Sequence, residues 1–204
     1  MFVCLAAGRG ERMKPLTKYI HKAMIPFSGL PFLAYSLLSV PRSSDVVIVV
    51  NYFSEQIVSY FGKYYEGRNI QYLRQENPKG TGDALFQFSQ AYHPKQPIIV
   101  WQADQMIFPD ELEILCNANP NAAICSDLNQ VVLDLGFWKI KPSSLANLKS
   151  HFDGPEYRAL PVLEKEGLNQ IKVKRQKFEI SYGGLDQLET QCKLFKQKFR
   201  IGFH

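Results

Sequence analysis

At 204 residues the chain has the length of one domain with room for a sizeable core. A net charge of +5, with 46% hydrophobic and 21% charged residues, suits anionic small molecules but is too weak and dispersed for a nucleic-acid-binding face. Apolar runs stop short of the ~20 residues of a membrane span, the amino terminus does not resemble a signal peptide, and Cys4, Cys116, Cys125 and Cys192, without a Cys-x-x-Cys pair, read as reduced thiols of a cytoplasmic protein.

Along the chain, strands and helices alternate. Phe2–Ala6 is an apolar run too short for anything but a buried strand, and it breaks into the loop Gly8-Arg-Gly10. Pro31–Leu38 places Phe32, Tyr35 and Leu38 at helical spacing, and Asp45–Asn51 is a β-branched run suited to a strand covered on both faces. Ser54 reads as an N-cap for a helix to Phe61 with Ile57, Val58 and Phe61 on its apolar face. A strand over Asn69–Arg74, a helix over Thr81–Tyr92 and a strand over Pro97–Gln102, ending at Asp104, come next.

A helix over Pro109–Asn117 and a strand over Ala122–Ser126 continue the alternation. In the last third, Val131–Ile140 and Gln170–Lys174 read as strands, and Ser143–Ser150 and Glu156–Glu166 as helices. The basic run Lys172–Lys177 reads as a solvated strand or turn. Leu185, Leu188, Cys192, Phe195 and Phe199 form the stripe of a closing amphipathic helix. Repeated βα units predict a mostly parallel sheet with helices on both faces, binding ligands beyond the carboxyl ends of its strands, where Gly8 and Asp104 both fall.

The chemistry concentrates in the first two dozen residues. Arg9, Arg12 and Lys14 crowd the glycine loop and Lys22 follows. Flexible backbone at a strand end with clustered positive charge makes a polyphosphate site. Taken alone, Gly-x-Gly is a tight strand-to-helix turn: Met13 stands where a dinucleotide fingerprint has its third glycine, and no Walker A pattern occurs. Four cations around one turn, however, repel one another without an anion.

The ordered segment Leu5-Ala-Ala-Gly-Arg-Gly-Glu-Arg-Met-Lys-Pro-Leu-Thr17, followed by Lys22-Ala-Met-Ile-Pro26, resembles the opening signature of the sugar-phosphate nucleotidyltransferases. Relatives of this kind include glucose-1-phosphate thymidylyltransferases, N-acetylglucosamine- and N-acetylmuramate-1-phosphate uridylyltransferases and phosphocholine cytidylyltransferases. The resemblance implies a Rossmann-like three-layer α/β/α fold with a mostly parallel mixed sheet. It also implies a single domain over 1–204, with a nucleotide-binding half over 1–110 and an acceptor-binding half over 111–204. The implied activity is transfer of a nucleoside monophosphate from UTP, dTTP or CTP to a sugar-1-phosphate or similar acceptor, supplying nucleotide sugars for surface polysaccharide. Expected partners are the NTP and the acceptor, with no nucleic acid or membrane.

In this reading Leu5, Ala7, Gly8, Arg9 and Gly10 hold the nucleotide. Arg12 contacts the leaving pyrophosphate, and Lys22 draws the α-phosphate and the attacking phosphate together; His21 beside it is incidental. Asn77-Pro-Lys-Gly-Thr-Gly-Asp-Ala-Leu85 is by itself a loop with a helix start, but it resembles the family's nucleotide-pocket segment and brings in Gly80 and Thr81. Gln75 matches a glutamine that reads the pyrimidine edge, for which an amide offers both a donor and an acceptor. Asp104, an even candidate for a helix cap on its own, matches the aspartate that binds Mg²⁺.

Beyond residue 106 the resemblance thins. Pro120–Leu135 is too short for a Glu-Lys-Pro motif, and Leu135–Leu145 reads as a later glycine-aromatic strand, which leaves Lys139 and Lys141 as candidate acceptor contacts. Ser181 stands where relatives place a second metal-binding aspartate, so Asp186, Glu179 or the phosphates themselves would complete the site. Loss of catalysis, leaving a nucleotide-binding or sensing protein on the same scaffold, is the alternative. A glycosyltransferase lacks support because no Asp-x-Asp occurs.

Overall fold

β1 (Phe2–Ala6) is buried on both faces because successive side chains point to opposite sides of the sheet. Val3 and Leu5 enter one core, while Cys4 and Ala6 enter the other. The computed structural model describes residues 1–128, 131–148, 158–175 and 185–198. After β1 come the short pair β2 (Pro26–Phe27) and β3 (Leu30–Pro31), then α1 (Phe32–Ser39), β4 (Asp45–Val50) and α2 (Ser54–Phe61). They are followed by β5 (Tyr64–Tyr65), β6 (Arg68–Arg74), α3 (Thr81–Tyr92), β7 (Ile98–Gln102) and α4 (Pro109–Asn117). The remainder is β8 (Ala122–Leu128), β9 (Val131–Ile140), α5 (Pro142–Asn147), α6 (Ala159–Lys165), β10 (Asn169–Val173) and α7 (Leu185–Lys198).

Eight strands form one sheet in the order β10-β8-β9-β7-β1-β4-β6-β5. β1 pairs parallel with both β4 and β7, and β4 with β6, whereas β9 runs antiparallel between β7 and β8. The mixed, mostly parallel three-layer α/β/α architecture is the one the alternation implied. Val46, Ile48 and Val50 of β4 face α1, α2 and α4, in one layer with Leu33, Ile57 and Leu115. Val47 and Val49 face the opposite layer, with Leu85 and Phe88 of α3, Leu145 of α5 and Leu163 of α6. Among the described residues no helix is long and apolar enough to cross a membrane.

A third core forms where α7 covers α1, the β2–β3 pair and the amino-terminal loop. Leu188, Cys192 and Phe195 pack with Phe27, Phe32, Tyr35 and Met13. The amphipathic stripe is therefore core, with Phe199 outside the described residues. Local departures from the sequence reading are small. Ser54 is the first helical residue rather than the cap, because the chain enters α2 from left-handed Phe53. Val58 is largely exposed. The portions of the two predicted late helices at 149–150 and 156–157 lie outside the described residues.

Arg175, just past β10, ties the segment after β7 in place. Its guanidinium pairs with Glu111 of α4 and donates to the carbonyl of Met106 (2.9 Å), with both side chains of the pair nearly buried. Glu111 also accepts from the backbone N–H of Phe108 (3.1 Å). Glu111→Ala removes the carboxylate of this nearly buried pair and is expected to cost about 3 kcal/mol. Asp127→Ala removes only the half-exposed pair with Lys172 and should cost under about 1 kcal/mol. Urea unfolding of the two variants checks the contrast.

Candidate active site

The sheet changes its direction of growth at β1. The chain builds outward through β4 and β6, then returns to place β7 on the other side of β1. The crevice beyond the carboxyl ends of strands at such a switch point is open, because the loops after them diverge to opposite faces. Here it is a cavity of about 340 Å³. Ala103 donates its backbone N–H to the carbonyl of Leu5 (3.1 Å), which carries the β1–β7 register to the rim. The loop after β1 and Asp104 after β7 thus share one cavity.

The loop is shaped by Gly10. Its φ of +65° lies in the left-handed region, and an added Cβ would sit 2.9 Å from Cγ2 of Thr17 and 3.2 Å from Cβ of Lys22. Thr17 Oγ1 and the N–H of Met13 both donate to the Gly10 carbonyl (2.9 and 2.8 Å). The turn is therefore closed from within, and Met13 anchors it to the core under α7. Gly8 is different: an added Cβ there would meet nothing within 4 Å, so its protein surroundings do not demand glycine.

Arg12 and the backbone of Gly8 and Gly10 line the cavity. Arg9 is exposed and is not among the lining residues. Lys14 is exposed and pairs with Glu11. Of the cations clustered in sequence, Arg12 and Lys22 are those that line the cavity.

Lys22 Nζ lies 2.6 Å from Asp104 Oδ2, with both side chains mostly buried. Lys22 opens a short helical turn whose position is set by His21. The Nδ1 of His21 accepts from the N–H of Ala23 (3.1 Å), so its proton sits on Nε2, which donates to the carbonyl of Ala6 (3.0 Å). The backbone N–H of His21 donates to Gln56 Oε1 (2.7 Å), and Gln56 Nε2 to the carbonyl of Tyr19 (3.0 Å). His21 is thus not incidental, as its sequence context suggested: it staples the Lys22 turn to the end of β1. Burial pushes its imidazole down to about 4.

The opposite wall is uncharged. Leu5, Gln75, Pro78, Gly80, Thr81 and Ala84 line it, and Ala7 continues it toward the loop. Gln75 is buried, and its amide nitrogen donates to Asp83 Oδ2 (2.5 Å) and the carbonyl of Gly80 (3.4 Å). Thr81 Oγ1 accepts from the backbone N–H of Ala159 and so joins α3 to the start of α6. Sequence reasoning did not single out Gln102, which also lines the cavity, or Asp83. Gln102 had a signal, being two residues before Asp104. Asp83 had none, because its role depends on a partner eight residues away.

Two expectations fail to meet at this site. Lys139 pairs with Ile99 near the amino end of β7, and its Nζ donates to the carbonyls of Cys116 and Ala118 at the carboxyl end of α4, a natural seat for a cation. It does not line the cavity. Asp186 is exposed in the first turn of α7 and does not line the cavity. Glu179 and Ser181 lie outside the described residues. No cluster of three or more His, Cys, Asp or Glu able to hold a metal occurs among the described residues.

Two measurements probe this scaffold. Gly10→Ala is expected to lower stability by about 1–3 kcal/mol, through left-handed strain and the clash with Thr17, while Gly8→Ala leaves the thermal midpoint near that of the parent. His21 gives a pH dependence. The folded chain keeps it neutral down to about pH 4, whereas the unfolded chain protonates it near 6.5, so the unfolded state takes up the proton first. This contribution is complete above about pH 6.5 and is lost as pH falls toward 4, amounting to about 2 kcal/mol by pH 5. His21→Gln should lose that part of the pH dependence in urea titrations at pH 7 and 5.

The comparisons with known proteins point the same way. Residues 1–131 match the family model described as Nucleotidyl transferase. The chain is 35% identical over 112 residues to the bifunctional protein GlmU of Methanocaldococcus jannaschii, covering 54% of this chain and 26% of that protein. It is 33% identical over 85 residues to the D-glycero-alpha-D-manno-heptose 1-phosphate guanylyltransferase of Aneurinibacillus thermoaerophilus, covering 41% and 37%. The matched stretches thus span about a quarter to just over a third of these curated relatives. The fold is shared with the crystal structure of a UDP-glucose pyrophosphorylase complexed with UDP-glucose, at a TM-score of 0.78 and 16% identity, covering 95% of this chain and 98% of that one. With 131 of 204 residues under the family model and the glycine loop and Asp104 converging on one cavity, the chain belongs to the nucleotidyl transferase family.

Proposed function

We propose that this chain transfers a nucleoside monophosphate from an NTP to a sugar-1-phosphate or similar phosphorylated acceptor and releases pyrophosphate. The observation that carries the reading is the Lys22–Asp104 pair sharing a cavity with the Gly8–Gly10 turn and Arg12. The acceptor's phosphate oxygen is already anionic, so it needs no protein base or nucleophile. It attacks the α-phosphorus in line: a new P–O bond forms, the bond to the bridging oxygen of the β-phosphate breaks, and pyrophosphate leaves with that oxygen's electrons.

The protein's task is to hold two anions together and offset the charge gathering on the leaving oxygen. Backbone N–H groups at Gly8–Gly10 serve the phosphates, and Arg9 takes part through its backbone alone. Arg12 is placed for the leaving pyrophosphate. Lys22, released from Asp104 by an incoming phosphate, bridges the α-phosphate and the acceptor phosphate. Asp104 suits Mg²⁺, a hard cation that takes one or two carboxylates and fills its shell with phosphate oxygens and water. When bound there, Mg²⁺ supplies further charge neutralisation on the phosphates.

We assign the nucleotide to residues 1–110 and the acceptor to 111–204. This division is supported by Gly136 of β9, where an added Cβ would lie 3.3 Å from the side chain of Gln102 at the cavity rim. The heptose 1-phosphate guanylyltransferase among the relatives favours an activated sugar as product, with surface polysaccharide as its destination. The free thiols of Cys4, Cys116, Cys125 and Cys192 suit the cytoplasm.

Pyrophosphate release from UTP, dTTP, CTP or GTP, with Mg²⁺ and a panel of sugar 1-phosphates, tests the reading. Asp104→Asn and Lys22→Ala are each expected to lower turnover about 100-fold or more while the chain stays folded. Gly8→Ala should weaken NTP binding without moving the thermal midpoint. NTP affinity without turnover for any acceptor, unaltered by Asp104→Asn, would instead identify a nucleotide sensor.

A further inference from the structure

Asp83 does not line the cavity, yet it decides what one wall of the cavity can offer. Its Oδ2 accepts from the amide nitrogen of Gln75 (2.5 Å), the amide nitrogen of Gln87 (3.0 Å) and the backbone N–H of Lys79 (3.4 Å). It is 6% exposed, and no ion pair reaches it among the described residues. Gln87 is oriented as well, since its Oε1 accepts from the N–H of Glu76 and its Nε2 donates to the Glu76 carbonyl (both 2.9 Å). A carboxylate can only accept, so an amide set against it must present nitrogen.

For Gln75 the consequence is a fixed polarity. Its backbone is held by Val50 and Asn51 through hydrogen bonds of 2.9 and 2.8 Å. Both amide hydrogens are directed at Asp83 and Gly80. Trp101 Nε1 is the one sealed and unpartnered side-chain nitrogen or oxygen among the described residues. Oε1 of Gln75, which no described donor reaches, therefore faces the cavity. The surrounding wall of Leu5, Pro78 and Ala84 is apolar and suits a flat heterocycle. An amide free to rotate would serve any base; this one offers an acceptor.

We propose that Asp83 is a positioning residue that locks Gln75 with its carbonyl oxygen toward the ligand, so that the pocket selects nucleobases carrying a ring N–H and discriminates against cytosine. Uracil and thymine carry such an N–H at N3 and guanine at N1, whereas cytosine places a lone pair at N3, where it would oppose Oε1. The inference rests on the reading of this cavity as an NTP site. As a carboxylate in the first turn of α3, Asp83 also supports the helix start, so stability alone cannot test it; base preference can.

The test is titration calorimetry of UTP and CTP, with Mg²⁺, on the full chain and its variants. The parent is expected to bind UTP about tenfold or more tighter than CTP, because opposing an acceptor to a lone pair leaves both unpaired. Asp83→Asn lets position 83 donate, frees Gln75 to turn, and should cut that ratio to within about threefold. The exchange Asp83→Asn with Gln75→Glu keeps the total charge and restores an acceptor facing the cavity, so the UTP preference should return. This pair keeps the test informative if the single variant is unstable. Equal affinity of the parent for UTP and CTP, or an unchanged ratio in folded Asp83→Asn, overturns the proposal alone. Failure of UTP, dTTP, CTP and GTP alike to bind overturns the nucleotide reading and this inference with it.

Discussion

Lys22 and Asp104, 82 residues apart in the chain, meet at 2.6 Å across the carboxyl ends of two neighbouring parallel strands. Each depends on a separate piece of sheet geometry. Asp104 is delivered by β7, whose register with β1 continues one residue past the strand through Ala103 and Leu5. Lys22 is delivered by a turn stapled to Ala6, at the end of β1, through His21. Both charges are thus referenced to the same strand. That strand is covered on both faces by alternating side chains, and the longest helix described, α7, packs on the loop that follows it.

A cation and an anion that neutralise each other are also a poised pair. Neither is left as an isolated buried charge, which would be costly to maintain. Under the proposed function, a polyanion entering the cavity would offer Lys22 a stronger partner, and the carboxylate set free would then take a cation that arrives with the polyanion. Coupling of this kind would make phosphate and divalent metal favour each other's binding. The scaffold is consistent with that economy: Gly10, Thr17 and Met13 close the loop on itself, so it does not need a ligand to take shape.

Sequence reasoning succeeded where the determinant was local or periodic. β-branched runs and apolar stripes named the strands and helices, and α3, α4 and β9 have the bounds that their patterns predicted. The loop after β1 was legible because glycines and cations lie within a few residues of each other. What could not be read was direction. Arg9 and Lys14 look equivalent to Arg12 in sequence, but both are exposed and neither lines the cavity. Lys139 stood as a candidate acceptor contact in the sequence, but its Nζ binds carbonyls at the end of α4. His21 seemed incidental because its role lies in a hydrogen bond to a carbonyl fifteen residues earlier.

The same distinction would govern the proposed recognition of a base. A glutamine in a sequence stands for a group that can both donate and accept, and this ambivalence makes it a poor discriminator. Discrimination requires that one of its two faces be used up internally, and only a group that is itself unambivalent can do so. A carboxylate meets that requirement and a hydroxyl or second amide does not, since either could turn together with its partner. Burying Asp83 against three amide donors has a desolvation cost that an apolar residue at the start of α3 would avoid. Retaining a charged group there is reasonable physics if the orientation of Gln75 is worth more to the site than the stability lost behind it.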